Sequence, residues 1–323
     1  MHKYIIKRLL WMIPIVLMVA IIIFTIMYFV PGDIAKIILG NNASEAAYEA
    51  LRERLGLNQP YLVRLVNYLK DVFLHFDFGE SVIDGSSVTK TLLQRFPYTF
   101  ILALSAMLMS IGLGIPLGVV AAQHNGRWQD SLAMFVALLG ISMPGFWLGL
   151  MLMLLFSLRL HWLPSNGIGT FAHWIMPAIT NAFGGIAAQA RMTRSSVLEV
   201  IQADYITTAR AKGVSERSIL RRHILPNSMI PVITSIGASF GMQMAGTIVI
   251  ENLFSIPGIG QYTVNSINSR DYFAVQGSVI MLAIVFSLVM LIVDIVYAYI
   301  DPRIKAQFEG GIKKRRVKNA AES

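Results

Sequence analysis

Apolar residues dominate six stretches of this chain, at 9–30, 98–122, 132–158, from about 174 onward, 229–250 and 275–300, and polar residues gather between them. A helix needs about 20 apolar residues to cross the roughly 30 Å hydrocarbon core of a bilayer. The pattern predicts an all-α membrane protein with six transmembrane helices. The stretches differ in detail. The second carries Gly112, Gly114, Pro116 and Gly118 in its latter half, which predicts close approach to another helix. The third contains Pro144-Gly145, a predicted break or bend. The fourth is the least hydrophobic, with Pro177, Asn181, Gly184, Gly185 and Gln189, so it is expected among other helices, where its amides find partners.

The first stretch, at 22 apolar residues, exceeds the usual apolar core of a signal peptide and precedes no small-residue cleavage site, so it reads as a retained helix. Residues 31–96 carry eight acids against seven bases and read as a small folded extracytoplasmic insert. A helical pattern over 43–55 closes at Gly56, and another over 60–74 opens on Pro60. The organisation is thus 1–30 for the N-terminal segment and first helix, 31–96 for the insert, 97–300 for a five-helix core, and 301–323 for a lysine-rich tail.

Residues 202–227 form a basic island between two apolar stretches. Arg210, Lys212, Arg217, Arg221 and Arg222 would each cost roughly 2.5 to 3.5 kcal/mol near a bilayer centre, so the island sits in water or against another protein. Its sequence describes two short helices and a corner. Asp204 is positioned to cap the first, Arg210 and Lys212 favour its carbonyl end, and Gly213 ends it. Ser215 is a second N-cap, Glu216 lies in the first turn, and Ile219, Leu220, Ile224 and Leu225 recur at helical spacing up to Pro226, a predicted stop. Pro231 then opens the next span.

Helix, glycine corner, helix, then Leu-Pro on the basic side of a membrane protein resembles the EAA loop of ABC-importer permeases. Thr207-Thr208-Ala209 stand where that family has Glu-Ala-Ala, Gly213 holds the glycine, His223 replaces an isoleucine, and Leu225-Pro226 complete the pattern. The wording D-Y-I-T-T-A-R-A-K-G is similar to the oligopeptide, dipeptide and nickel permease branch. Further markers follow in order: Pro31-Gly32-Asp33, Leu55-Gly56-Leu57-Asn58-Gln59-Pro60, Phe76-Asp77-Phe78-Gly79-Glu80-Ser81, Ile256-Pro257-Gly258-Ile259-Gly260 and Arg270-Asp271-Tyr272. The resemblance implies the transmembrane domain of a type I (MetI-like) importer. It implies a homologous second permease, two ATPase subunits that bind ATP and Mg, and an extracytoplasmic solute-binding protein. It implies that Asp204, Tyr205, Thr207, Ala209, Arg210, Lys212, Gly213, Ser215, Glu216, Arg217, Leu225 and Pro226 form the surface seated in an ATPase. Di- or oligopeptides are the implied cargo, with nickel or a metal chelate as the alternative and glutathione open.

Composition agrees with a membrane setting: 55% of the 323 residues are hydrophobic and 14% charged, against about 25% charged in soluble domains. The net charge of +9 is explained by location, not by nucleic acid. Eighteen of the 27 lysines and arginines fall on one side of the predicted spans, and the two short loops opposite hold only Arg159 and Arg270. That bias puts the basic side, with both termini, in the cytoplasm; the resemblance implies the inner membrane of a bacterial or archaeal cell. With no cysteine there is no thiolate chemistry, and without G-x-x-x-x-G-K-[ST] the chain has no nucleotide cradle of its own, so neither catalytic residues nor a cofactor are expected in it. No metal site is assigned: His161 and His173 flank one outer loop, and methionine pairs two apart cannot line one helix face. An ion-coupled secondary transporter would need ionisable groups within the spans; the clear candidate is Asp294, expected to pair with Arg303 or a neighbouring helix. Asn181, Gln189 and Gln243, with the glycines of the fifth span, are the candidates for lining a pathway, the alternative being helix-to-helix hydrogen bonds.

Overall fold

The computed structural model describes residues 2–40 and 42–300; the expected tail, 301–323, lies outside them. Helix α1 (His2–Phe29) leads into a cap made of α2 (Ile34–Leu39), α3 (Glu45–Arg54) and α4 (Tyr61–Lys70), the last prolonged by a π-helical turn at Asp71–His75. Asp33 and Ser44 accept from free amides at the starts of α2 and α3, at 3.0 and 3.3 Å, and Gly56 leaves α3 with φ +65°. The cap is fastened to α1 by aromatic packing, with Phe24 and Tyr68 ring centroids 5.0 Å apart and the Thr25 and Tyr61 hydroxyls hydrogen-bonded at 2.7 Å.

An ion pair from Arg52 to Asp33 ties α3 back to the start of α2. The hydrogen-bonded Arg52 guanidinium holds the Asp33 carboxyl below the usual carboxylate range. Because the folded value is the depressed one, this contribution is complete above the unfolded value of about 3.9 and is lost as pH falls through the lower folded value. The opening free energy of α2 and α3, read from amide protection factors, is therefore expected to be flat from neutral pH to about 5 and to fall only below about 4, a fall that Asp33→Asn should remove.

The bundle proper begins with α5 (Val88–Met109) and α6 (Ile115–Gln123), joined through a π-helical turn at Ser110–Gly114 that takes up Pro116. Helices α7 (Trp128–Ser142) and α8 (Gly145–Leu152), the latter continued to Arg159, meet at 103° around Pro144. Next come α9 (Ala172–Ile201), α10 (Asp204–Ala211), α11 (Glu216–Ile219) with a π-helical turn at Leu220–Ile224, α12 (Leu225–Leu253), α13 (Ile259–Asn268) and α14 (Tyr272–Ile300). Among the described residues no strand forms. Among the described residues, four helical segments are long and apolar enough to cross a membrane, Arg8–Phe29, Val88–Gln123, Glu216–Gly241 and Tyr272–Val296, and the bent α7–α8 pair makes five if it counts as one span.

The sixth expected crossing is α9, which falls short of that apolar standard for a physical reason. It packs against α5, α6, α7, α8 and α12, so other helices, not lipid, surround it. Gly114 and Gly118 set its distance from α6: a Cβ on either would lie 2.7 Å from the Ile186 carbonyl and 2.5 Å from the Ala190 carbonyl. Leu10, Met18, Leu138, Leu158 and Ile292 face outward instead, as lipid contact requires.

Two expectations fail here. Pro226 does not stop a helix, and Pro231 does not open one: Glu216–Leu253 runs on, with Pro226 in the first turn of α12 and Pro231 inside it. The wider turn at Leu220–Ile224 absorbs the ring and the missing N–H, which a regular α-helix could not. The segment 251–275 also holds a helix, α13, that the sequence reading lacked. Its start is covered by buried Glu251, whose Oε2 accepts from the Gln261 N–H at 2.9 Å. A Cβ on Gly258 would come within 2.4 Å of that carboxylate, so the glycine there makes room for it.

Candidate functional site

At the basic end of the bundle, the short helices α10 and α11 turn against each other at Gly213, whose φ is +75°. The corner is a Schellman turn: the Gly213 N–H donates to the Arg210 carbonyl at 2.9 Å and the Val214 N–H to the Ala209 carbonyl at 3.2 Å. Across it the Arg210 guanidinium grips Glu216 with two bonds, at 2.7 and 3.2 Å. Both side chains are largely exposed, so this pair adds only about 1 kcal/mol at most. Burial supplies the rigidity. Ile206 of α10 and Ile219 and Ile224 beyond the corner form one apolar cluster with Val197 of α9 and Ala122 of α6. The corner is thereby bonded to the ends of two bundle helices, and a push on it is passed to them.

Asp204, expected as an N-cap, is instead the first residue of α10; Ala203 holds the cap position and no side chain closes it. Asp204 still places an acid in the first turn, where the dipole favours it. Ser215 occupies the cap position of α11, yet it acts through its carbonyl, which accepts from Ser218 and Ile219 at 2.9 Å. Tyr205, Thr207, Lys212 and Arg217 are exposed, Ala209 and Leu225 half-buried, and Pro226 exposed. The result is a polar, mainly basic outer face on an apolar base.

A second feature is a cleft of about 630 Å³ bordered by α7, α8, α9 and α12. Its walls are chiefly apolar with a few polar groups, the composition of a small-molecule site. Asn181 and Gln243 line it, as expected. Gln189 does not: it is wholly buried and donates to Ser235 at 3.3 Å and Ser239 at 3.0 Å, joining α9 to α12. Gly237 and Gly241 likewise face α14, where a Cβ would meet Val293 at 2.6 Å and Phe286 at 2.5 Å. The lining groups missed from sequence are Arg191, Ser235 and Ser239. Ser235, Ser239 and Gln243 recur four apart on α12, a polar stripe that helical spacing could have revealed.

Two sequence markers meet away from the basic end. The Ser81 hydroxyl donates to Asp271 at 2.5 Å, and Asp271 also accepts from the N–H groups of Val82 and Ala274. This buried carboxylate fastens the segment before α5 to the start of α14. His173 accepts from the Thr170 N–H at 3.0 Å. Asp294 pairs with Arg8 of α1 at 3.0 Å, the neighbouring-helix option; Arg303 lies outside the described residues.

Residues 114–306 match the family described as binding-protein-dependent transport system inner membrane component, and residues 1–103 match the N-terminal region of such membrane components. The chain is 40% identical over 305 residues to the glutathione transport system permease protein GsiC of Salmonella typhimurium strain LT2, covering 94% of this chain and 99% of that protein. It is 39% identical over 305 residues to GsiC of Escherichia coli strain K12, with the same coverage. An inward facing conformation of the MetNI methionine ABC transporter superposes with a TM-score of 0.55 at 16% identity, over 66% of this chain and 97% of that one, a likeness of fold.

Proposed function

We propose that this chain, which belongs to the family of binding-protein-dependent transport system inner membrane components, is the permease subunit of an ATP-driven importer that carries di- or oligopeptides, the glutathione class included, through the cleft beside α9 and α12. The observation that carries this reading is the Gly213 corner, an exposed basic face built on an apolar cluster shared with α6 and α9. Such a face transmits force and has no visible use in a free-standing channel. A homologous second permease closes the cleft from its open side, and two ATPase subunits seat the corners of the pair. A solute-binding protein delivers cargo at the opposite end, beside the 31–96 insert. The basic end with both termini faces the cytoplasm. ATP and Mg belong to the ATPases; this chain performs no chemistry and needs no cofactor.

In this scheme, closure of the ATPase pair moves α10 and α11, and the apolar cluster carries that motion into α6 and α9. The cleft then exchanges inward for outward access, a two-state change biased by nucleotide. The peptide class is supported by the relatives named for glutathione transport and by walls that offer amides and hydroxyls among apolar surface. The test is uptake of labelled trialanine and glutathione by proteoliposomes holding the permease pair, ATPases and binding protein. Uptake is expected only with internal ATP and all subunits; transport by this chain alone, driven by an ion gradient, would refute the reading.

A further inference from the structure

The cleft has one charged side chain among its lining residues, Arg191. It lies on α9 ten residues from Asn181, about 15 Å along the axis, and near the same end as Ser235 of α12. Two other arginines at that end of the bundle are matched by carboxylates. Arg194, one turn further on, holds Asp130 with bonds of 2.5 and 2.7 Å, and Arg8 holds Asp294 at 3.0 Å. Arg191 is exposed and, among the described residues, makes no hydrogen bond or ion pair. A guanidinium against largely apolar walls is stable when it faces water or an opposite charge.

The amides nearby are also incompletely used. Gln243 donates to the Ser110 hydroxyl at 2.7 Å, which leaves its Oε1 buried without a donor, and Asn181 Nδ2 is buried without an acceptor. Buried polar atoms are ordinarily partnered; these two are closed off in this conformation and come within reach of cargo as the cleft opens, so with the exposed cation they describe a complementary ligand. That ligand has amide groups and a negative end.

We propose that Arg191 is a carboxylate-binding residue of the pathway, receiving the C-terminal or another carboxylate of a short peptide while the peptide's amides pass Asn181 and Gln243. An extended peptide advances about 3.3 to 3.6 Å per residue, so a chain of two to four residues fits within the 15 Å between Asn181 and Arg191. The planar guanidinium suits a carboxylate through two parallel bonds. Arg191 lies toward the cytoplasmic end, so it draws the anionic end inward and makes the pathway selective for cargo bearing one. This rests on the peptide reading above.

The chain contains no cysteine, so Arg191→Cys introduces its single thiol and permits charge to be restored chemically. The complete importer carrying Arg191→Cys is reconstituted and trialanine uptake is measured before and after reaction with a trimethylammonioethyl or a sulfonatoethyl methanethiosulfonate. The wild-type importer, treated alike, controls for thiols on other subunits. Loss of a charge-assisted bond should lower uptake on the order of tenfold or more. The cationic adduct is expected to recover at least about half of it, the anionic adduct none, and Arg191→Lys should exceed Arg191→Cys. Equal responses to the two reagents, or wild-type uptake by Arg191→Cys, would overturn the assignment. So would dissociation of the two permeases in Arg191→Cys, which would give the cation to the subunit interface. Failure of the peptide reading is seen separately, as a wild-type importer that carries neither trialanine nor glutathione.

Discussion

A Gly213→Val permease is expected to insert and accumulate normally yet to lose at least about tenfold in ATP-driven uptake, since a non-glycine residue held left-handed costs about 1–2 kcal/mol and a β-branched one more. Space is not the obstacle, because a Cβ at Gly213 would meet nothing within 4 Å. The penalty lies in φ, at +75°. Its cheapest relief is local: the corner opens, the Arg210 and Ala209 carbonyls lose the Gly213 and Val214 N–H groups, and α10 swings away from α11. The bundle, held by α9, is untouched. Gly213→Asn is the discriminating control, because asparagine tolerates the left-handed region and should retain most uptake. Membrane content by immunoblot, ATPase copurification and uptake of trialanine separate the outcomes. Wild-type uptake by Gly213→Val with a bound ATPase would remove the corner from the mechanism.

That prediction could be drawn from sequence because the corner is a local feature. Gly213 follows a helical pattern and precedes another, and only one backbone conformation serves such a junction well. The six apolar stretches, the bend at Pro144 and the close approach of Gly114 and Gly118 were legible for the same reason: each is written in residues a few positions apart. Failures came where the answer depended on partners distant in the chain. Pro226 reads as a stop until the π-helical turn at Leu220–Ile224 shows how the chain accommodates it. Gln189 and Gln243 look alike in sequence and both are buried ties, the first to Ser235 and Ser239 and the second to Ser110, but only the second also borders the cleft. Glu251, just past the fifth apolar stretch, carries no local sign that it is buried as the anchor of α13. Arg191 falls among the eighteen cations of the basic side, and its difference from Arg194 lies in what faces each of them.

Gly118→Val should act on the opposite axis from Gly213→Val, removing the fold and not its drive. Its Cβ would stand 2.5 Å from the Ala190 carbonyl oxygen and 2.6 Å from the Thr193 Cβ, so no side-chain rotation clears it. Helices α6 and α9 must separate, yet α9 is also held by α5, α7, α8 and α12, and the apolar cluster beneath the corner depends on Ala122 staying beside Val197. Overpacking of this kind costs roughly 1–3 kcal/mol where side chains can adjust and more against backbone, a large share of the marginal stability of any fold. The folded-to-unfolded ratio of Gly118→Val in detergent is expected to fall at least about tenfold, the change that 1.4 kcal/mol produces, and to be read as a lower melting temperature. Gly112→Ala, six residues earlier in the same crossing, has no neighbour within 4 Å and exchanges glycine for a residue that favours helix by about 1 kcal/mol. It should be neutral or stabilising. Equal melting temperatures for Gly118→Val and Gly112→Ala would mean that α6 and α9 do not meet as described, and the path from the corner into the bundle would then run through other helices.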